Sequence, residues 1–353
     1  MITLALIFGG QSSEHSVSCV TALGVYNAID KSKYEVIPIG ITKDGRFTTQ
    51  EISSSWKLAD NPEVVLTDEV YPAIGGGNWK TAAGRNLGVI DVAFPVLHGP
   101  NGEDGSIQGL LQLCHLPYVG NGVLASAVAM EKSKAKAVFR DAGLRVADNL
   151  VILESGYVRD PEAFHTKCHA ALELPIFVKP SRSGSSVGVT KVKDFSALPA
   201  AIKEAFRHDN TVLVEECIVG REVECAVLEL PNGELKVSLA GEIVVTGREF
   251  YDYEAKYLDG GADLLVPTSL TEAELTEINT LAKLAFRALG CSGLARTDFF
   301  LTDSGFVLTE VNTMPGFTPI SMYPSLWQAT GIDYVELVDT LIETGLAQGT
   351  NPR

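Results

Sequence analysis

The sequence predicts an α/β fold whose N-terminal part is a parallel, doubly wound sheet, followed by two blocks in which strands and helices are mixed. Apolar, strand-like runs at 2–8, 36–41 and 89–94 alternate with stretches of helical periodicity. The 353 residues have room for two or three domains. Hydrophobic residues make up 46% and charged residues 20%, which is typical of packed globular proteins. We therefore expect domains at 1–121, 122–215 and 216–353.

The later elements are predicted from apolar runs and from capping residues. The second block begins near Gly120 with a helical segment at about 123–141, and its strands are predicted near 149–153, 175–180, 187–193 and 211–217. The third block has strands near 222–230 and 236–245, an irregular loop at 246–266, and a helix that Ser269 or Thr271 caps and Gly290 ends. The stretch 44–86, rich in Gly, Ser and Thr, is predicted to be an irregular insertion.

Charge and cysteine usage exclude several classes of protein. The formal net charge is −16, whereas nucleic-acid binding needs a basic surface, and an anionic membrane surface is disfavoured for the same reason. No apolar run reaches the roughly 20 residues that span a bilayer, and the first ten residues read as a strand and not as a signal peptide. The six cysteines form no CxxC pair, which favours reduced thiols in the cytoplasm.

A predicted hairpin joins strands at 294–301 and 306–312 across Asp303-Ser304-Gly305. If Thr302 pairs with Phe306, the side-chain period of two determines which residues share each face.

In this register Asp298 faces Glu310 and Arg296 faces Asn312 on one face of the sheet. The opposite face is expected to be apolar, with Phe299, Val307 and Val311. Two carboxylates and an amide oxygen suit a hard cation such as Mg²⁺, which prefers oxygen ligands. A solvated hairpin face with incidental acids is the alternative.

Two further segments contain residues suited to nucleotide binding. Lys179 stands just before a Gly/Ser-rich loop, residues 181–188, that lies between two strand-like runs; its backbone N–H groups suit phosphates, although such a loop is also an ordinary turn. Glu215 and Glu222 flank the point where one block passes into the next. They suit an adenine or a ribose, but acids at strand ends are usually solvated.

The first α/β block offers candidates for substrate binding. Glu14 lies in the first turn of the first helix, where it either binds a substrate ammonium or simply favours the helix dipole. His98 follows the strand at 89–94, a common ligand position in an open α/β sheet, and equally suits a buried, satisfied histidine.

Taken together, these motifs resemble the ATP-grasp superfamily and, more narrowly, the D-alanine–D-alanine ligase family. The matching segments are Gly9-Gly10-Gln11-Ser12-Ser13-Glu14, His98-Gly99, Gly102-Glu103-Asp104-Gly105, Met130-Glu131-Lys132, Lys179-Pro180, Gly184-Ser185-Ser186-Val187-Gly188, Tyr251-Asp252-Tyr253-Glu254-Ala255-Lys256-Tyr257, Arg296-Thr297-Asp298 and Glu310-Val311-Asn312-Thr313-Met314-Pro315-Gly316. The resemblance implies an N-terminal pre-ATP-grasp domain followed by a two-lobed ATP-grasp fold. It also implies ligation of two D-alanines through an acyl phosphate, for peptidoglycan precursor synthesis, by a homodimer.

The resemblance also implies roles for individual residues. Nucleotide contacts are implied for Lys132, Lys179, Lys256, Glu215, Ile218 and Glu222. Two Mg²⁺ ions, or Mn²⁺ in their place, are implied for Asp298, Glu310 and Asn312. Substrate binding is implied for Glu14, His98, Arg296, Gly316, Ser321 and Met322. Catalytic roles are implied for Glu14, Ser185, Tyr257, Arg296 and Gly316, with Tyr257 and Lys256 on a loop that closes over the site.

The sequence departs from the family pattern in the loop and at the adenine. Ser183 stands where some relatives have Glu or Leu, and Glu216-Cys217 stand where relatives often have a basic and a bulky residue. Tyr257 favours an amine acceptor, since depsipeptide-forming relatives carry Phe there.

Three other functions fit parts of the sequence. An ATP-grasp ligase with D-serine or another amino acid as acceptor would share the same ATP and metal residues. A dinucleotide-dependent dehydrogenase fits the first strand and Gly9-Gly10, but GxGxxG is missing. A non-catalytic ATP-binding regulator would not need the Arg296, Asp298, Glu310 and Asn312 set.

Overall fold

The computed structural model describes residues 1–184, 186–245 and 262–351. The strands are β1 (Ile2–Gly9), β2 (Tyr34–Ile41), β3 (Phe47–Thr49), β4 (Asp68–Tyr71), β5 (Lys80–Thr81), β6 (Val92–Pro95), β7 (Asn149–Leu153), β8 (Ile176–Pro180), β9 (Thr190–Val192), β10 (Thr211–Glu216), β11 (Arg221–Glu229), β12 (Leu235–Val237), β13 (Gly241–Val245), β14 (Ala262–Leu265), β15 (Leu294–Thr302) and β16 (Gly305–Asn312). The helices are α1 (His15–Ala28), α2 (Ser106–Leu113), α3 (Val123–Met130), α4 (Lys132–Asp141), α5 (Glu154–Arg159), α6 (Pro161–Ala171), α7 (Leu198–Ala205), α8 (Glu272–Ala288), α9 (Met322–Thr330) and α10 (Tyr334–Gln348).

The first sheet has a parallel centre and an antiparallel extension. Its strand order is β5-β4-β3-β2-β1-β6, and β1 pairs in parallel with both β2 and β6. This parallel centre confirms the predicted doubly wound arrangement. The prediction of an irregular stretch at 44–86 was wrong in part, because β3, β4 and β5 lie in it and extend the sheet. These strands are only two to four residues long, too short for an alternating pattern to show.

Two antiparallel sheets follow, and each has its own core. The second sheet, in the order β7-β10-β8-β9, packs its apolar side against α6 and α7. The third sheet, β14-β13-β11-β15-β16 with β12 beside β11, packs against α4 and α8. Strand β10 ends at Glu216 and β11 begins at Arg221, so a short segment connects these two lobes. The predicted α+β architecture is confirmed.

Helix boundaries follow local hydrogen bonding where periodicity alone does not determine them. The predicted segment 123–141 is two helices, α3 and α4, which meet at Glu131, a residue with non-helical backbone angles. Helix α8 begins as predicted: the Thr271 hydroxyl accepts from the backbone of Glu274, and the Glu274 side chain accepts in return from the Thr271 backbone. Gly290, at a φ of +68°, follows the end of this helix.

The β15–β16 hairpin has the predicted register at one end and not at the other. Asp298 pairs with Glu310 and Arg296 with Asn312, as predicted, whereas Thr302 pairs with Gly305 and not with Phe306. A β-bulge beside Asp298 and Phe299 absorbs the one-residue difference.

The bulge also corrects one face assignment in this hairpin. Val307 pairs with Phe300 and lines a large cavity, although we expected it on the apolar face. Phe299 and Val311 belong to the core beneath the sheet, as predicted, although Val311 also borders the cavity; Val307 lies outside that core.

The N-terminal sheet and the C-terminal helices share one hydrophobic core. Side chains of β1 (Leu4, Leu6, Phe8) and of α1 (Cys19, Ala22, Val25) pack with Leu337, Val338, Leu341 and Ile342 of α10.

All six cysteines are free thiols. Among the described residues no helix is long and apolar enough to cross a membrane.

A buried asparagine links the N-terminal part to the third sheet. The Asn121 amide nitrogen donates to the carbonyls of Leu294 and Thr313, at 2.7 Å each, and its oxygen accepts from the Ser292 N–H at 2.9 Å. Only 3% of Asn121 is exposed.

Candidate active site

A cavity of about 800 Å³ lies where the three sheets converge. The predicted site residues that line it are Glu14, His98, Lys132, Lys179, Glu215, Ile218, Glu222, Arg296, Glu310, Asn312, Gly316, Ser321 and Met322. Asp298 lies directly behind this wall, bonded to two of these residues. Ser185, Lys256 and Tyr257 lie outside the described residues.

The floor of the cavity is a compact charge cluster on one face of the third sheet. Arg296 donates from Nε to Asp298 Oδ1 and from Nη2 to Asp298 Oδ2, at 2.8 Å each. Its Nε also lies 3.0 Å from Glu224 Oε2. The Asn312 amide donates to Asp298 Oδ2 at 2.8 Å. Although burial lowers the pKa of Arg296, Asp298 and Glu224 raise it well above its ordinary value, so the guanidinium stays charged.

The donor set in this cluster fits a magnesium ion that also binds phosphate. Asp298, Glu310 and the Asn312 amide oxygen are hard oxygen donors, and Mg²⁺ commonly takes one or two carboxylates and completes its shell with substrate phosphates and water. Within the described part of the chain no group of three or more His, Cys, Asp or Glu side chains is arranged to hold a metal ion by itself. Two carboxylates and one amide oxygen leave positions in an octahedral shell for phosphate oxygens and water.

The second sheet and helix α4 each contribute a lysine, and the two share the Glu215 carboxylate of β10. Lys179 Nζ forms an ion pair with Glu215 Oε1, and Lys136 Nζ lies 3.2 Å from Glu215 Oε2. Burial alone would raise the pKa of Glu215, but Lys179 and Lys136 together lower it to about 2. Glu215 is thus ionised despite being 5% exposed.

The Gly/Ser loop is anchored at its first residues. The Glu131 carboxylate accepts from the hydroxyls of Ser181 and Ser133, and Arg182 donates to Asp209 through its backbone and its guanidinium. Lys132 Nζ donates to the Ser183 carbonyl at 2.7 Å and lies 4.0 Å from Glu310 Oε2.

The loop lies between β8 and β9, as the strand-like flanking runs predicted. Ser186, Val187 and Val189 line the cavity. The described part of this loop therefore forms one wall of the cavity.

The N-terminal sheet contributes the opposite wall. Glu14 precedes α1, and a Cβ placed on Gly99, whose φ is +74°, would lie 2.8 Å from the Ser12 hydroxyl and 3.1 Å from Glu14 Oε2, so the missing Cβ leaves room for both side chains. His98 is 4% exposed, contacts the Thr21 hydroxyl and the Met314 carbonyl, and lies 3.7 Å from Glu103. It is therefore a buried, satisfied histidine that also lines the cavity.

The N terminus of α9 points at the far end of the cavity. Ser321 precedes the helix, and its hydroxyl accepts from the Thr318 N–H at 3.1 Å. A Cβ on Gly316 would lie 3.3 Å from this hydroxyl. A helix N terminus attracts anions through its free N–H groups and its dipole, so this end of the cavity suits a carboxylate.

Sequence reasoning missed Glu224, Lys136 and Glu103 as individual site residues. Glu224 is two residues beyond Glu222 on a strand, and Lys136 is four residues beyond Lys132 on a helix, so each shares a face with a residue that was singled out. Those two spacings were the available signal. For Glu103 the only signal was its place in the matching segment Gly102-Glu103-Asp104-Gly105.

Two α+β lobes that enclose a cavity, with lysines of α4 and β8 lining it and an oxygen-donor set on the third sheet, define a carboxylate–amine ligase of the ATP-grasp class. Residues 3–121 match the family described as D-ala D-ala ligase N-terminus, and residues 138–343 match D-ala D-ala ligase C-terminus. This chain belongs to the D-alanine–D-alanine ligase family.

Relatives and solved structures agree over almost the full length. The chain is 48% identical to a D-alanine–D-alanine ligase of Mycolicibacterium vanbaalenii, covering 100% of this chain and 99% of the relative. It is 46% identical to a D-alanine–D-alanine ligase of Nocardia farcinica, with 100% and 99% covered. The VanG D-Ala:D-Ser ligase from Enterococcus faecalis has a TM-score of 0.84 at 37% identity, with 98% of this chain and 99% of that chain covered. The D-alanine–D-alanine ligase from Coxiella burnetii has a TM-score of 0.83 at 35% identity, with 98% and 94% covered.

Proposed function

We propose that this protein joins two D-alanines to D-alanyl-D-alanine, with hydrolysis of ATP to ADP and phosphate, as a step toward peptidoglycan precursors. The observation that carries the proposal is the set of Arg296, Asp298, Glu310 and Asn312 on one sheet face at the floor of the cavity. A carboxylate is a poor acyl donor, so phosphorylation by ATP makes an acyl phosphate that the second amine attacks. Full-length relatives at 46–48% identity support the same substrates.

We assign the nucleotide to the cleft between the two lobes. Lys132 and Lys179 supply positive charge to its phosphates, Glu215 and the Ile218 backbone bind the adenine, and Glu222 binds the ribose. The support is that each of these residues lines the cavity, and that β10 passes directly into the segment between the lobes.

In this proposal two Mg²⁺ ions are held by Asp298, Glu310 and Asn312, and Mn²⁺ can take their place. When bound, the ions neutralise charge on the transferring phosphoryl group. Independently of the ions, Arg296 offers donors to a developing oxyanion from a position that Asp298 and Glu224 hold.

The two amino acids bind at opposite walls of the cavity in this assignment. Glu14, beside His98, binds the ammonium of the first D-alanine, and the Gly316 amide helps Arg296 to stabilise oxyanions. Ser321 and Met322 bind the carboxylate of the second D-alanine at the N terminus of α9. The short approach of Gly99 to Glu14 and the free end of α9 support these positions.

The remaining proposals rest on the family resemblance and, for the compartment and the partners, on the cysteine pattern and the net charge of −16. Ser185 and Tyr257 join Glu14 in a hydrogen-bonded set, and Lys256 contacts the nucleotide from a loop that closes over the site. The enzyme works in the cytoplasm, without a nucleic-acid or membrane partner, and forms a homodimer.

D-serine as the acceptor is the second candidate, since the solved D-Ala:D-Ser ligase has the same fold at a TM-score of 0.84. Its identity to this chain is 37%, compared with 48% for the first D-alanine–D-alanine ligase named above. D-alanine is therefore the better supported acceptor.

The test is phosphate release from Mg²⁺-ATP with D-alanine, L-alanine, D-serine or D-lactate, with the product identified by mass. We expect D-alanine-dependent ADP formation and a dipeptide mass, both abolished in Asn312→Ala. Asn232→Ala is the matched control, because Asn232 lies in an exposed turn where it accepts only from Glu234 N. ATP binding without turnover on any D-alanine mixture would contradict the substrate assignment.

A further inference from the structure

Lys136 is a buried lysine in the wall of the cavity to which we assign the nucleotide. It is 2% exposed, lies on α4 one turn beyond Lys132, and contributes to the cavity lining. Its Nζ is 3.2 Å from Glu215 Oε2, and within the described residues neither atom makes a hydrogen bond of standard geometry. The cost of burying an ammonium is offset only by a nearby counter-ion, and Glu215 is the one at hand.

Glu215 has one carboxylate for two lysines, and these lysines differ in their access to the cavity. The Lys179 side chain is 16% exposed, whereas that of Lys136 is 3% exposed. Lys179 therefore has access to the phosphates of a nucleotide, and Lys136 does not leave its place without opening the wall. Across β7 the partner of Glu215 is the uncharged Asn149, so the charges that face Glu215 are these two lysines alone among the described residues.

The charge state of Glu215 decides which base it recognises. An ionised carboxylate only accepts hydrogen bonds, so it binds the exocyclic amine of adenine and repels the 6-oxo oxygen of hypoxanthine. A protonated carboxyl donates and tolerates that oxygen. If Lys179 turns to the phosphates, a buried Glu215 without a second counter-ion takes up a proton, because burial disfavours its charged form.

We propose that Lys136 is a specificity-determining residue that keeps Glu215 ionised while a nucleotide is bound, and so maintains the preference for adenine over a 6-oxopurine. The inference rests on the proposed function for the placement of the base at Glu215. The two lysines thus have separate tasks: Lys179 contacts the nucleotide, and Lys136 acts only through Glu215. The lowered pKa of Glu215, to which both lysines contribute, agrees with this division.

The experiment compares the affinity for ADP with that for IDP by calorimetry, in the presence of Mg²⁺ and without amino acid. In Lys136→Met we expect the ADP-to-IDP affinity ratio to fall about tenfold or more, the size of one hydrogen bond to a charged group. Lys136→Arg, which keeps the charge, restores the ratio toward that of the wild type. Lys134→Met is the matched control, because Lys134 is exposed on the same helix.

Two results would overturn the inference. Equal losses of ADP and IDP affinity in Lys136→Met would mean that Lys136 serves the phosphates or the cleft as a whole. An unchanged ratio in a folded Lys136→Met, checked by its thermal transition, would mean that Lys179 alone keeps Glu215 charged. Because binding needs no turnover, failure of the wild type to make dipeptide would count against the proposed function and not against this inference.

Discussion

At the scale of single residues, the catalytic role that we propose for Arg296 requires it to stay in place when its neighbour Asp298 turns to a metal ion. Glu224 supplies the second anchor, since its carboxylate is 2% exposed and lies 3.0 Å from Arg296 Nε. Arg296 therefore keeps a buried partner that is not itself assigned to the metal. If Asp298 turns to a bound metal ion, the Glu224 carboxylate still holds the Arg296 guanidinium in place.

Replacing Glu224 by Gln should loosen Arg296 without touching the nucleotide. We expect kcat to fall by roughly 10- to 100-fold with little change in the KM for ATP, because in the proposed function Arg296 stabilises charge that develops in the transition state. Steady-state kinetics of Glu224→Gln measures this. Glu234→Gln changes an exposed acid in the turn between β11 and β12 and should leave both constants as they are. A rise in KM alone would contradict the argument.

His98 should give the protein a pH-dependent contribution to stability. Burial lowers the pKa of His98, but the carboxylates of Glu103 and Glu14 outweigh burial and raise it above its ordinary value. A raised pKa in the folded state gives stability that is complete below about pH 6.5 and is lost as the pH rises through the folded-state pKa.

Urea unfolding of the wild type and of His98→Gln over a pH series tests this. The advantage of the wild type in unfolding free energy should be largest near pH 6 and shrink toward pH 8, about the range in which histidine titrates. His169→Gln, at an exposed position, supplies the baseline. An advantage that grows with pH would be inconsistent with a charged His98.

The placement of Asp298, Glu310, Arg296 and Asn312 on one sheet face was predictable from sequence, because a side-chain period of two links them once the hairpin is assumed. Lys136 and Glu103 were not predictable in the same way. The role of Lys136 depends on burial beside Glu215 from a distant segment, and that of Glu103 on its approach to the buried His98. A single sequence reveals neither.

At the scale of elements, α8 shows how a few residues determine where a helix begins. Thr271 and Glu274 satisfy each other's backbone N–H groups, and Ile278, Ala282 and Ala285 form the buried stripe. The sequence predicted this helix because both signals are local. It did not predict the break between α3 and α4, where the Glu131 carboxylate accepts from Ser181, a residue about 50 positions away along the chain.

Thr271→Ala should destabilise the protein by about 1 kcal/mol, the usual cost of losing an N-cap. Thr280→Ala is the matched control in the same helix: Thr280 is exposed, and its hydroxyl only bonds back to the Thr276 carbonyl. Since Ala is the better helix former, we expect Thr280→Ala to leave the free energy of unfolding unchanged or to raise it by roughly a few tenths of a kcal/mol. Thermal unfolding distinguishes the two signs, and equal effects would exclude a capping role.

The β-bulge in the hairpin explains why the prediction succeeded at the site and failed at the turn. From Phe299 to Thr302 the pairing is one residue out of the assumed register, and the bulge restores it at Asp298. Bulges depend on twist and on packing against neighbouring strands. The residue pattern of the two strands does not indicate a bulge, so the sequence analysis assigned Val307 to the wrong face of the sheet.

At the scale of the whole molecule, Asn121 joins the N-terminal part to the third sheet, which carries Asp298, Glu310 and Asn312. Asn121→Ala removes three buried hydrogen bonds and leaves the carbonyls of Leu294 and Thr313 and the Ser292 N–H without this partner. We expect a loss of about 2–4 kcal/mol in the free energy of unfolding. Urea titration measures it, with Asn232→Ala as the exposed control. A loss no larger than that of the control would show that the link carries no stability.

The global arrangement was predictable in kind from alternating strands and helices, and in detail only through family resemblance. Nothing in the local pattern of Leu337, Val338 and Leu341 indicates that their partners are Leu4 and Phe8 at the other end of the chain. The hydrophobic periodicity of a segment shows which of its faces is buried, but not which distant segment packs against that face.

That shared core also bears on how the chain is made. The apolar faces of β1 and α1 are completed by α10, more than 300 residues downstream of β1. At about 5–20 residues per second, a ribosome needs roughly 10–50 s to pass from the end of the first sheet to that helix. Throughout this interval the nascent N-terminal domain exposes a surface meant for burial, so it is a natural client for chaperones that act at the ribosome exit.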